Sequence, residues 1–544
     1  AETGLAPDAL LVVNTSARTR SGVVEVTVPA GLDPGEGFVG ADGIGRAVQL
    51  LGMGGREEAF VARVAGTKVG WVADRIVGST FDGQPVGAWS VLDEDATIFS
   101  LLAAGPDDAP VDLHEAREAL LALGRAGRPV TVRMEGAPRR RILVETGPVA
   151  GYGWATLRRA PAGGGRRPAA IPVRVGLIGL VDSRYARDPG EPFRPIARLV
   201  VDATSSGVDP AGRPVLDNGI VRVEVDPEGG TFSIAIRGGL RAEGLNRYED
   251  GGDGGDTYTW CPPAVDTVVD RPASVAIEVE ETGPLRGRVV VTAAYEWPTY
   301  ADGDERACRA RSAQTTTTTL RTAVSLVAGD SVVGVETVID NRCRDHRLRV
   351  HFPLPAMVAG SDAGCAFAVV HRRLDVESGP SETPPPTFPA RRFVDCSGPR
   401  PVPASASGAG TAGLAVIADG TFEYEVCNQG RELAVTLLRS TGWLSRRRLP
   451  LRPDPAGPAV AVDGAQVQGV RRRRYGLLLH AGDWESADLM ATSGEFLDRL
   501  EAVTGSAVPG SAARAARPSA GQVLRVDGPE VSAVGRDSYG LFVR

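Results

Sequence analysis

Residues 273–297 read ASVAIEVEETGPLRGRVVVTAAYEW, and this stretch decides the fold class. Val275, Ile277 and Val279 alternate with small or polar residues, Gly283 and Pro284 interrupt the run, and a valine-rich stretch follows. Successive side chains of a strand point to opposite faces, so a period of two with Gly and Pro punctuation marks half-buried antiparallel strands. The pattern recurs in GVVEVTVPAG (22–31), GIVRVEVDPEGGTFSIAI (219–236) and DSVVGVETVIDN (330–341). The run TTTTT (315–319) leads into strand-like sequence and reads as strand. The chain is therefore mainly β. Strands with one apolar face must cover it with another sheet, which predicts multiple antiparallel β-sandwich domains.

One helical excursion interrupts the strands. DLHEAREALLALGRAG (112–127) sets Leu113, Ala116, Leu120, Leu121 and Leu123 near helical spacing, with glycines at its end. PAGGGRRPAA (161–170) and GSAVPGSAARAARPSAGQ (505–522) have linker composition. These breaks predict a first β-sandwich domain at 1–170 with the helical insertion near 112–127, and a large β-sandwich at 172–504. A linker at 505–522 and a terminal β piece at 523–544 follow. Nothing shows the strand and helix alternation of a catalytic α/β barrel.

Composition narrows the function classes. At 544 residues the chain exceeds one core, and its size suggests roughly three to four domains. Hydrophobic content of 42% and charge of 23% are ordinary for a globular protein. A net charge of −7 gives no general reason to expect nucleic acid or an anionic membrane as partner. The basic runs RRRR (471–474) and PRRRI (138–142) sit beside strand-like residues and read as charges on solvated strand faces or turns. No apolar run approaches the roughly 18 to 20 residues of a membrane span. Cysteines 261, 308, 343, 365, 396 and 427 are scattered with no C-x-x-C pair, so free buried thiols and a cytoplasmic location are expected. The chain opens AETGLAPDALLVVNTS without an initiator methionine, and further sequence is expected ahead of it.

The chemistry concentrates in YEDGGDGGDTYTWCPP (248–263). An EF-hand needs acids at every second residue, a glycine at position six and a glutamate at twelve, whereas Asp250, Asp253 and Asp256 recur every third residue. GGDGGDTYT echoes a calcium-binding nonapeptide repeat, but such repeats work as stacked copies and this one stands alone. Two carboxyls of such a loop could sit about 5 to 10 Å apart as a glycosidase pair. Yet a proton donor needs a raised pKa, and a glycine-rich acidic loop is normally solvated. A bland loop whose acids keep it soluble, with Tyr258 in the core, remains an open reading beside one in which the glycines allow unusual backbone angles and close approach to a partner. The five histidines form no H-E-x-x-H set, and no G-x-S-x-G elbow or phosphate cradle is present. On its residues alone, the chain lacks a self-contained catalytic set.

Six ordered blocks carry a family resemblance: VLDNGIVRVEVDPEGGTFSI (215–234), GLNRYEDGGDGGDTYTWCPP (244–263), DNRCRDHRLRVHFPLP (340–355), GTFEYEV (420–426), LAVTLLRSTGWLSR (433–446) and AGPAVAVDGAQVQG (456–469). They resemble the C-terminal β region of α-mannosidases of glycoside hydrolase family 38, in particular the bacterial branch that includes mannosylglycerate hydrolases. ALLVVNTSARTRSGVVEVTVP (9–29) looks like the first strands after that family's helical bundle, and VSAVGRDSYGLFVR (531–544) looks like its last β motif. The resemblance implies a large supersandwich of the galactose-mutarotase type. It also implies a retaining α-mannosidase whose zinc, bound by His and Asp, and whose Asp nucleophile lie in an N-terminal α/β barrel that this chain lacks. No catalytic residue or metal ligand transfers to this sequence. From the segment matching GDTYTW, the resemblance implies that Tyr258 faces the sugar, with Asp256 beside it. From LSRRRLPLRPDPAGP (444–458) it implies Arg452 as a substrate contact, although RRL stands where relatives tend to carry two acids before a leucine.

Two functions are consistent with these readings. The chain is the β portion of an α-mannosidase acting on an α-mannoside or mannosyl glycoside, inactive alone, with the catalytic domain as its partner. Alternatively it is a stand-alone carbohydrate-binding or scaffolding β-sandwich protein, which an exposed row of aromatic rings would favour.

Overall fold

The computed structural model describes residues 9–160 apart from 30–36, 57, 94–96 and 106–107, then 174–178, 213–505 apart from 238 and 400–409, 518–526 and 534–543. The linker-like stretch 161–170 lies outside the described residues, as does most of 505–522. The chain divides into two compact units, 1–169 with 500–544, and 170–499. Both are built mainly of antiparallel sheets.

In the second unit the stretch 273–297 forms the strands Ser274–Thr282 and Arg286–Pro298, which pair antiparallel through Val275↔Ala293 and Val279↔Val289. The threonine run begins Thr315–Val327, which pairs along the whole of Arg286–Pro298. These strands belong to a twelve-stranded antiparallel sheet that continues through Val333–Asn341, Gly469–Ala481, Thr411–Cys427, Glu432–Ser440, His346–Pro353 and Arg247–Gly252. A five-stranded sheet of 174–178, 213–217, 221–225, 232–236 and 241–245 covers one of its faces. Alternate residues Val289, Val291, Ala293, Tyr295 and Trp297 pack with Val221, Val223, Phe232 and Ile234 in the common core. Each Val, Ile or Phe among them contributes about 1.5 to 3 kcal/mol of apolar burial when fully enclosed.

The other face is partly covered by a short helix, α3 (Leu489–Leu497), whose Leu489 and Phe496 meet Phe393, Ala415, Ile417 and Leu478. Its sequence LMATSGEFL holds Thr, Ser and Gly, all weak helix formers, so tertiary packing rather than propensity specifies it. The basic run 471–474 lies on Gly469–Ala481, where Arg472 pairs with Glu336 and Arg474 stacks over Phe496.

The first unit contains two other helices, α1 (Val69–Ala73) and α2 (His114–Arg125). Leu113, Ala116 and Leu120 are fully buried, while Leu121 and Leu123 pack at the margin of the same core. The pairing here departs from the uniformly antiparallel expectation: Thr97–Ala103 and Val130–Glu135 are parallel neighbours. A parallel pair needs a crossover, and α2 provides it. The chain also returns to this unit late, where Glu501–Thr504 pairs with Ala9–Asn14 and Ala520–Gln522 with Gly153–Ala160. Val534–Asp537 and Gly540–Val543 form a terminal hairpin. Among the described residues, no helix is long and apolar enough to cross a membrane.

Candidate functional site

The acidic loop follows directly from Arg247–Gly252, the edge strand of the large sheet. Strand alternation turns Tyr248, Asp250 and Gly252 inward. Asp250, Asp253 and Asp256 are all fully buried, which overturns the solvated-loop reading. A carboxylate withdrawn from water must be paired and hydrogen-bonded, and each of the three has its own cation.

Asp250 is bonded by the Arg311 guanidinium, which also donates to the Asp250 and Thr267 carbonyls at 3.0 and 2.8 Å. Its Oδ1 lies 2.6 Å from His346 Nδ1, and His346 Nε2 lies 3.0 Å from Asn341 Oδ1. The Asn341 amide nitrogen donates to Ser440 Oγ and to the Gln466 and Val467 carbonyls, which turns Asn341 Oδ1 toward His346. Asp253 accepts from Arg439 Nε at 2.6 Å and from the Gly255 N–H at 2.9 Å. Burial pushes its carboxyl above the ordinary range despite the opposing Arg439.

Asp256 organises the tip. Its Oδ1 accepts the N–H groups of Tyr258 and Thr259 at 3.0 and 2.9 Å, and its Oδ2 accepts the Arg446 N–H at 2.7 Å and a bond from Arg452 Nη2. Arg452 Nε adds a bond to Thr259 Oγ1 at 3.1 Å. The segment 441–457 is laced to the loop from its own side. Thr257 donates to the Trp443 and Leu444 carbonyls, Thr441 Oγ1 donates to the Gly255 carbonyl, and Arg446 Nη1 donates to the Gly254 carbonyl.

The glycines serve close packing. None of Gly251, Gly252, Gly254 and Gly255 has a positive φ, contrary to the expectation of unusual backbone angles. A Cβ on Gly255 would stand 2.0 Å from the Thr259 carbonyl oxygen, and one on Gly252 would stand 2.4 Å from Pro263 Cγ.

The three residues expected to face substrate therefore have different surroundings. Tyr258 is 57% exposed. Its hydroxyl passes beside Gly457, where a Cβ would stand 3.5 Å away. Asp256 turns inward, fully buried, with its oxygens bonded to the loop and to Arg446 and Arg452. Arg452 is mostly spent on Asp256, yet it also lines an open cleft of about 390 Å³ with Asp454, Pro455, Ala456 and Gly379–Glu382. Arg439, Arg446 and His346 lie in blocks that carry the family resemblance, and Arg311 lies in none, but the sequence assigns no role to any of the four. Their signal lay in the acids themselves, since carboxylates spaced along one apolar-flanked strand and loop require compensating charge once buried.

Residues 216–456, which hold the loop and nearly all of its braces, match the model for the glycosyl hydrolases family 38 C-terminal domain. A protein of Halalkalibacterium halodurans, provisionally named a mannosylglycerate hydrolase, is 27% identical over 316 residues, covering 54% of this chain and 32% of that protein. Two solved structures share the fold with a TM-score of 0.60 at 18% identity: a family 38 protein and an α-mannosidase, both from Enterococcus faecalis. They cover 100% and 99% of this chain and 53% and 51% of their own. The chain thus spans about a third of the curated relative and about half of each solved chain. Among the described residues no three His, Cys, Asp or Glu side chains gather as a group that could hold the zinc implied by the resemblance.

Proposed function

We propose that this chain is the β portion of a retaining α-mannosidase. It shapes one wall of a mannose site whose zinc and nucleophile come from a catalytic domain outside these 544 residues. The observation that carries this reading is Asp256, a buried carboxylate whose bonds to the backbone of Tyr258, Thr259 and Arg446 hold Tyr258 outward. A fold has no need to invest a buried charge in fixing an exposed side chain unless that side chain meets something. A tyrosine hydroxyl gives or accepts a hydrogen bond to a sugar hydroxyl while its ring packs on apolar surface. Arg452 at the adjoining cleft supplies a second polar contact. Substrate is an α-mannoside, and the name of the Halalkalibacterium relative supports a mannosyl glycoside. All six cysteines are free, which suits a cytoplasmic enzyme.

The test is Tyr258→Phe in the enzyme that includes the catalytic domain. Loss of one sugar hydrogen bond should lower kcat/KM by about 1 to 3 kcal/mol in transition-state terms, with the melting temperature nearly unchanged. Unaltered kinetics would reject the assignment.

A further inference from the structure

Far along the chain from the loop, within the first unit, one indole is turned to solvent. Trp71, on α1, is 59% exposed. Its surroundings are built rather than incidental. The Arg75 guanidinium lies over the Trp71 ring at 5.1 Å, and also over Phe60 and Phe81 at 4.6 and 5.5 Å. Those two phenyl rings meet edge to face at 5.3 Å. Asp82 fixes the guanidinium through both Nε, at 2.7 Å, and Nη2. Asp82 itself stands in the left-handed region, with φ 51°, and its N–H donates to the Arg75 carbonyl at 3.0 Å. The end of α1 is tied down by Arg117, which donates to the Ala73 carbonyl and to Asp74.

We propose that Trp71, Arg75 and Asp82 form a glycan-binding platform that takes a neutral pyranose unit of an oligosaccharide. A pyranose has an apolar C–H face and a rim of hydroxyls. The indole meets the face, while the partly exposed Asp82 and Arg75 accept from and donate to the rim. The ion pair of Arg75 with Asp82, set beside a single exposed indole, matches the polar rim and small apolar face of one sugar ring. The guanidinium also holds the indole in one orientation, which lowers the ordering cost on binding. The platform is independent of the mannose site and requires no turnover.

Mannotetraose and cellotetraose are the probes, titrated into the 544-residue chain by calorimetry and by saturation-transfer NMR. Saturable binding to either probe with a Kd on the order of 1 mM is expected. Trp71→Ala should weaken it at least ~10-fold, Trp71→Phe less, and Asp82→Asn measurably. Tyr258→Phe should leave it unchanged, which separates this platform from the mannose site. The proposal is overturned by absence of saturable binding to both probes, by binding that survives Trp71→Ala, by binding lost in Tyr258→Phe, or by Trp71→Ala changing only self-association.

Discussion

Asp256 shows how much a single inward carboxylate can determine. Its replacement by Asn keeps the size but leaves the Arg452 guanidinium without its anion, and breaking a buried pair from one side costs about 3 to 5 kcal/mol. Asp256→Asn should therefore lower both denaturant stability and mannoside turnover of the intact enzyme, whereas Tyr258→Phe lowers turnover alone. Equal effects of the two variants on stability would sink the distinction between brace and contact. Glu249, on the strand that leads into the loop, has a pH signature. Burial alone would raise its pKa, but His351 and Arg349 outweigh burial and hold the carboxyl well below its ordinary 4.5. The folded state thus binds this proton less readily than the unfolded chain. The stability it contributes is complete above that ordinary value and is lost as pH falls below it. Urea midpoints measured between about pH 6 and 3 should fall less steeply for Glu249→Gln than for the parent chain.

At the scale of the element, the loop is fixed by steric fit as much as by charge. Gly255→Ala would drive a methyl into the Thr259 carbonyl oxygen, a backbone atom held by the Asp256 turn. The expected cost is about 1 to 3 kcal/mol, with Tyr258 displaced and turnover reduced alongside. In the first unit, Leu120→Ala on α2 should cost about 2 to 5 kcal/mol, read from thermal unfolding, because Leu120 is fully enclosed. These elements differed in how far the sequence disclosed them. The strands of 273–297 and 315–327 were legible, because each face of a half-buried strand writes its own period into the chain. The α2 helix was legible from its leucines, but its role as a parallel crossover was not, since pairing direction leaves no local mark. The interior position of Asp250, Asp253 and Asp256 was illegible for a related reason. Their cations Arg311, Arg439 and Arg452 are distant in sequence, and an acidic glycine-rich run reads as solvated until the partners are in place. Tyr258 is singled out by family resemblance alone, and nothing in composition or spacing distinguishes it from a core tyrosine.

For the molecule as a whole, shaping a site is separate from performing its chemistry. The purified 544-residue chain should hydrolyse no aryl α-mannoside, because covalent and electrostatic catalysis supply most of a glycosidase's rate and the groups proposed to supply them lie elsewhere. Clear turnover that a chelator abolishes would show this to be wrong. The late return of the chain to its first unit has a consequence for biosynthesis. Glu501 pairs with Val13, so a ribosome emits one strand roughly 490 residues before its neighbour, a wait on the order of half a minute or more at translation rates of about 5 to 20 residues per second. During that interval Ala9–Asn14 presents an unpaired edge, the kind of template on which nascent chains aggregate. Chains truncated at residue 499 and released from the ribosome should accordingly retain bound chaperone, and released chains extended through residue 504 should let it go.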